Sequence, residues 1–323
     1  MSSIKTLTGL IVDSYREDGG ANHIGGLHLP SRARVARLLT DIEELIFPGF
    51  ACDDALTDET LEIVTGARVA RLLEGLSAQV ALDMAHERRL DRGGNDGGAG
   101  GVGGGGLATD GMESLDPALA RAARSFTVAL LEHMPALRAA LNLDVEALFA
   151  GDPAVRSREE IILAYPGLRA IVVHRVAHFF WQNGLRLLAR MMSEAIHGAT
   201  GIDIHPGATI GRSFYIDHGT GVVIGETTVI KDHVKIYQGV SLGALSVSKR
   251  LQDHRRHPTI EDHVTIYAGA TILGGETVVG HHSVVGGNVW LVKSVVPYSV
   301  VEHDAVVRVA SRSKSGSDFD PGI

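Results

Sequence analysis

The chain has 323 residues, 45% of them hydrophobic and 21% charged, enough to build a buried core and to exclude a wholly disordered protein. With 30 Lys and Arg against 38 Asp and Glu, the formal net charge of -8 leaves no basic surplus for a phosphate backbone, so no nucleic-acid partner is expected. The single cysteine, Cys52, forms no internal disulfide, and the longest apolar stretch, Ile171 to Trp181, is too short and too interrupted to span a bilayer.

Taken in chain order, Met1 to Tyr15 lacks the long apolar block of a signal peptide, so a cytoplasmic location with no membrane attachment is expected. Apolar residues then recur at three- and four-residue steps, through Val35, Leu38, Leu39 and Ile42, and through Leu61, Val64, Val69, Leu72, Leu73 and Leu76. This is the spacing of amphipathic helices. Ten of the fourteen residues 93–106 are glycine, and the segment reads as a flexible linker. Beyond it, Leu119 to Leu141, Ile161 to Tyr165, Leu168 to Trp181 and Leu185 to Ile196 are again helical in pattern, with Pro30, Pro48, Pro153 and Pro166 marking breaks. Residues 1–200 therefore read as an α-helical domain.

From Ile202 the period becomes six. Ile204, Ile210, Ile216 and Val222 share one register, which resumes at Val234 and Val240; a second run is Ile260, Ile266, Ile272, Val278, Val284, Trp290 and Val296. Self-similarity at that step is the signature of a hexapeptide parallel β-helix, three short faces to a coil, with the aliphatic residue inward. Such solenoids wind left-handed, against the usual crossover rule for parallel strands. The expected architecture is thus α+β and multi-domain: the helical domain, a left-handed β-helix over residues 201–301, and a flexible tail over 302–323. The register is lost between Val240 and Ile260, where a charged loop, residues 241–259, must leave the coil. It carries Lys249, Arg250, His254, Arg255, Arg256 and His257.

The solenoid holds polar residues that its packing does not need: Asp203 and His205, Asp217 and His218, Arg256 and His257. With about 18 residues to a coil, Asp203 and His218 are expected on adjacent coils near one edge, within reach of a hydrogen bond. A carboxylate that holds an imidazole in one tautomer makes a general base, and the nucleophile is then the substrate's. The plainer reading of any one histidine is a solvated or turn-capping residue. Asp152, ahead of Pro153, reads on its own as a helix cap. His174 and His178, four apart on a helix, have the spacing of metal ligands but no third ligand in view, so a structural role is expected and no metal. His263, His281 and His282 read as a solvated face.

Five blocks carry a resemblance: Gly151-Asp152-Pro153-Ala154, Asp203-Ile204-His205-Pro206, Ile216-Asp217-His218-Gly219-Thr220-Gly221, Val223-Ile224-Gly225-Glu226-Thr227 and Arg256-His257-Pro258. With His174-Arg175-Val176-Ala177-His178, they resemble bacterial serine acetyltransferase across residues 152–296. The resemblance implies transfer of an acetyl group from acetyl-CoA, a co-substrate, to the L-serine hydroxyl, with no permanently bound cofactor. It implies His218 as catalytic base and Asp203 as its orienting partner. Asp152 and Asp217 would hold the serine ammonium; Arg256 and His257 would hold its carboxylate. Gly243, Ala244, Ala268 and Gly286 would line the pantetheine arm. It implies a homotrimer, or two trimers joined by the helical domain, and a C-terminal isoleucine, here Ile323, that inserts into O-acetylserine sulfhydrylase.

Two departures bear on the acceptor: the loop is long and charged, and Ala244 stands where glycine is frequent. Homoserine or a sugar hydroxyl is the alternative acceptor. A hexapeptide enzyme of the carbonic anhydrase type needs three histidines whose spacing is missing between Ile202 and Val301. A purely binding subunit would have no use for Asp203 and His218.

Overall fold

The computed structural model describes residues 3–17, 23, 28–50, 56–91, 116–246 and 254–303. The glycine-rich segment 93–106, Lys249 and Arg250 in the loop, and Ile323 lie outside the described residues. Among those described, seven helices precede fourteen short strands: α1 (Ile4–Glu17), α2 (Arg32–Ile46), α3 (Leu61–Asp91), α4 (Pro117–Gly151), α5 (Arg158–Ala164), α6 (Pro166–Gln182) and α7 (Arg186–Thr200). No described helix is long and apolar enough to cross a membrane.

Local chemistry sets the helix ends. Asp116 caps α4 by accepting the Ala118 N–H at 2.9 Å, with Pro117 at the first helical position. From there Leu119, Ala123, Phe126, Leu130, Met134, Leu137, Leu141, Val145 and Leu148 are buried at three- and four-residue steps, so α4 runs on through Pro135 to Gly151, beyond the Leu141 limit read from the pattern. Ser157 caps α5 through the Glu160 N–H, while Glu160 accepts the Arg156 N–H in return. Gly201, with φ of 71°, ends α7 in the left-handed conformation and turns the chain into the solenoid.

The strands are two or three residues long and form three parallel sheets. Sheet A runs β1 (Asp203–Ile204), β4 (Val223–Ile224), β7 (Ser241–Gly243), β10 (Thr271–Leu273), β13 (Trp290–Leu291). Sheet B runs β2 (Thr209–Ile210), β5 (Val229–Ile230), β8 (Thr259–Ile260), β11 (Val278–Val279). Sheet C runs β3 (Tyr215–Ile216), β6 (Lys235–Ile236), β9 (Thr265–Ile266), β12 (Val284–Val285), β14 (Val300–Val301). Consecutive strands never share a sheet, as a three-sided left-handed parallel β-helix requires.

The six-residue register is less uniform than the sequence suggests. Ile230 to Ile236 to Leu242 keeps the step, but Ile216 to Ile224 takes eight residues and Ile272 to Val279 takes seven. The seventh residue reverses which side chains point inward. Val279 and Val285 are buried, whereas Trp290 and Val296, expected in the core, are 69% and 73% exposed. The eight-residue step is the one that contains His218.

Helices and solenoid share one continuous apolar core, from Val35 to Val289. A buried ion pair fastens them: Arg175 of α6 grips both oxygens of Asp144 in α4, at 2.7 and 2.9 Å, and also donates to the carbonyls of Ile210 and Gly211 in the first coil. Asp144 in turn accepts the Phe214 N–H at 2.9 Å. The end of α4 is thereby fixed against β3, and this brings Asp152 to the solenoid.

Candidate active site

The turn from sheet C to sheet A carries the first group of residues. Strand pairing stacks Asp217, Tyr237, Tyr267 and Gly286 in one column, and His218, Gln238, Ala268 and Gly287 in the next. Coils repeat about every 4.8 Å, so Ala268 stands roughly 10 Å from His218 along this corner. His218 has a φ of 57°, a conformation that swings its ring out of the coil, and its side chain is 71% exposed. Its Nε2 lies 3.7 Å from Asp217 Oδ1.

Asp152 reaches the same place from the C-terminal end of α4. Its Oδ1 accepts the Ala154 N–H at 2.8 Å and its Oδ2 accepts the Tyr165 hydroxyl at 2.7 Å. The Ala154 amide, then Tyr165 and the neighbouring His218, hold its carboxyl below the usual range, so it is ionised at neutral pH. The Tyr165 phenol, beside that carboxylate, is pushed up to about 12 and remains a donor. Asp217 Oδ2 accepts the Tyr215 hydroxyl at 3.3 Å. Asp152, Asp217 and His218 thus form one cluster: two carboxylates beside an open imidazole.

The second group sits at the other end of sheet A, at the turn into sheet B. His257 Nδ1 accepts the Thr227 N–H at 3.1 Å, which leaves its proton on Nε2. Burial and the Arg256 charge push its imidazole down to about 4, so above that pH it is a neutral donor. The ring lies against Gly225, where any side chain would collide with it: a Cβ would come within 2.2 Å of Nε2. The Arg256 guanidinium pairs with Glu226. Gly243 and Ala244, at the end of β7, belong to this corner too. The side chains expected to grip the two ends of an amino acid therefore lie, in one chain, at opposite ends of sheet A. Five residues of extended backbone, about 16 Å, separate them.

The expected hydrogen bond between Asp203 and His218 is not formed. Asp203 begins β1 and pairs with Val223, just after the His218 turn, but its carboxylate gathers with Glu194 and His197 of α7, their ligating atoms within 4.8 Å of one another. The physical reason is the eight-residue step, which carries the His218 ring outward beside Asp217. His174 is buried, and His178 is committed to the Pro206 carbonyl and to Gln182. His263 and His282 are exposed, as a solvated face requires, and they cluster: His263 stacks on His233 with ring centres 4.6 Å apart and meets His282 edge-on, lining a 430 Å³ groove at the third corner. The tyrosines of the site, Tyr165, Tyr215 and Tyr237, lie outside every motif block of the sequence. Tyr237 was legible, since it occupies the position of Asp217 one coil on.

A parallel β-helix with an open imidazole and paired carboxylates at a coil corner defines an acyltransferase of the hexapeptide class. The chain is 43% identical over 273 residues, 83% of its length and 79% of the relative's, to the plasmid serine acetyltransferase of Synechococcus elongatus. It is 51% identical over 122 residues to the serine acetyltransferase of Bacillus subtilis, covering 38% of this chain and 54% of that one. The fold is similar to serine acetyltransferase 1 of Entamoeba histolytica, crystallised with L-cysteine, with a TM-score of 0.65, 32% identity and coverage of 85% and 88%. Isoform 3 from the same organism, also with cysteine, gives 0.67, 29% identity and 95% and 94%. No protein-family model matches the chain. The chain belongs to the serine acetyltransferases, which transfer acetyl from acetyl-CoA to L-serine.

Proposed function

We propose that His218 is the general base of serine O-acetylation. It takes the proton from the serine hydroxyl as that oxygen attacks the acetyl-CoA thioester carbon; the C–S bond then breaks and the proton returns to the CoA thiolate. The observation that carries this reading is the exposed His218 ring beside the Asp152 and Asp217 carboxylates, which together suit a hydroxyl and an ammonium on one small molecule. Asp203 orients His218 in the catalytic state, which requires it to turn from Glu194 and His197.

Arg256, as a planar fork, and His257, as a neutral Nε2 donor, take the serine carboxylate. Because they sit at the far end of sheet A from His218, one chain cannot close on a molecule the size of serine, and the site is completed between neighbouring chains of a trimer. Ala268 and Gly286 of one chain and Gly243 and Ala244 of the next then flank the pantetheine arm, with backbone N–H groups near Ala244 and Ala268 available to the tetrahedral oxyanion. L-cysteine, present in the two Entamoeba structures, has the ammonium and carboxylate this site is arranged for and would compete with serine.

The division into a helical domain (1–200), a β-helix domain (201–301) and a tail (302–323) is retained, as is capture of the Ile323 carboxylate by O-acetylserine sulfhydrylase. The assembly is a homotrimer, or two such trimers joined through the helical domain. The single cysteine suits a cytoplasmic enzyme. The test is thiol release from acetyl-CoA with L-serine, homoserine or a sugar panel. Serine-dependent release that vanishes in His218→Ala supports the reading; near-normal release in that variant removes His218 from the mechanism.

A further inference from the structure

We propose that Tyr165 and Tyr215 are positioning residues for the acceptor: their hydroxyls aim the Asp152 and Asp217 carboxylates at one point, where the two take the substrate's ammonium group. This deepens the functional reading above and rests on it. Each carboxylate has one oxygen held by a phenol, Asp152 Oδ2 by Tyr165 at 2.7 Å and Asp217 Oδ2 by Tyr215 at 3.3 Å. The second oxygen of Asp152 is held by the Ala154 amide, and that of Asp217 faces His218.

Tyr215 does more than donate. Its ring is 1% exposed and lies against Gly151, where a Cβ would come within 2.7 Å of Cε1. Gly151 is the last residue of α4 and precedes Asp152. One side chain therefore bonds the carboxylate supplied by the solenoid and fixes the chain that supplies the other. The donors are also of the right charge. A lysine or arginine on these oxygens would neutralise them and repel an ammonium, whereas a phenol satisfies an oxygen and leaves the negative charge for the ligand. Lys235 Nζ sits 5.6 Å from the Tyr215 ring centre and pairs with neither carboxylate.

The experiment is steady-state thiol release by the full-length wild type, Tyr165→Phe and Tyr215→Phe, varying serine at saturating acetyl-CoA. Both substitutions keep the ring and remove only the donor. The serine KM is expected to rise about tenfold in each, the loss of a hydrogen bond to a charged group, while the KM for acetyl-CoA holds. The kcat at saturating serine should stay within about twofold of wild type, because the phenols act on acceptor binding alone; a purely structural role would lower kcat and raise the acetyl-CoA KM as well. Tyr165 is only partly buried, so its variant reports even where Tyr215→Phe folds poorly. Serine KM values within twofold of wild type, in a wild type that acetylates serine, overturn the tyrosine proposal and leave the functional reading standing. A wild type that neither binds nor acetylates serine overturns the functional reading, and this proposal with it.

Discussion

Arg175 and Asp144 meet in a two-pronged ion pair of 2.7 and 2.9 Å, with the carboxylate fully buried and the guanidinium nearly so. The pair ties α6 to α4, and through Ile210, Gly211 and Phe214 it ties both to the first coil. Removing one partner leaves the other charged and buried, a loss of about 3–5 kcal/mol. Asp144→Ala should therefore unfold at markedly lower denaturant concentration than wild type. A midpoint change equivalent to less than about 1 kcal/mol would show that the pair does not fasten the two parts.

Gly225 gives His257 its place. Gly225→Ala puts a methyl group where the imidazole lies, so the ring must leave its bond to Thr227. A displacement of that size at a substrate contact lowers kcat/KM on the order of 10- to 100-fold. The loss is expected in the serine KM, together with a lowered melting temperature, because the displaced ring is buried and loses its bond to Thr227. Unaltered serine kinetics would detach His257 from the acceptor.

The buried Asp83 makes stability depend on pH. Its Oδ2 accepts the Leu188 N–H at 3.1 Å, its Oδ1 has no partner, and burial raises its carboxyl from the ordinary 3.8 to about 7. The folded chain thus holds a proton that the unfolded chain releases. The resulting stabilisation is complete below about pH 4 and is lost as pH rises through 7, up to roughly 4 kcal/mol in all. Asp83→Asn keeps an acceptor for Leu188 and never ionises. Its stability relative to wild type should improve steadily between about pH 4 and pH 7 and level off above that, measured by urea unfolding at each pH; a constant difference would contradict a raised carboxyl at this position.

Much of this was legible in the sequence, and the reasons are local. The helices show because each buries one stripe, and the solenoid shows because two- and three-residue strands repeat on a short period. The chemistry showed where the repeat was broken: His218 lies in the one eight-residue step, and Arg256 and His257 lie at the end of the long loop. What stayed hidden depends on register or on distant packing. Trp290 and Val296 fell on the wrong face because the Gly274–Gly275 step adds a residue. Tyr215 carries no signal of its role, since nothing near it in sequence indicates that its hydroxyl meets Asp217 or that its ring meets Gly151. The divided site was hidden as well, because spacing along the chain does not say that His218 and His257 occupy opposite ends of sheet A.

That division is the central claim, and mixing two defective chains tests it most directly. His218→Ala lacks one corner of the site and Arg256→Ala lacks the other, so each alone should be nearly inactive in serine-dependent thiol release. In trimers formed by co-expressing them in equal amounts, a junction is intact when the Arg256→Ala chain supplies His218 and the His218→Ala chain supplies Arg256. Random assembly places that arrangement at about one junction in four, so about a quarter of wild-type activity should return. Mixed trimers as inactive as either parent would contradict a site shared between chains.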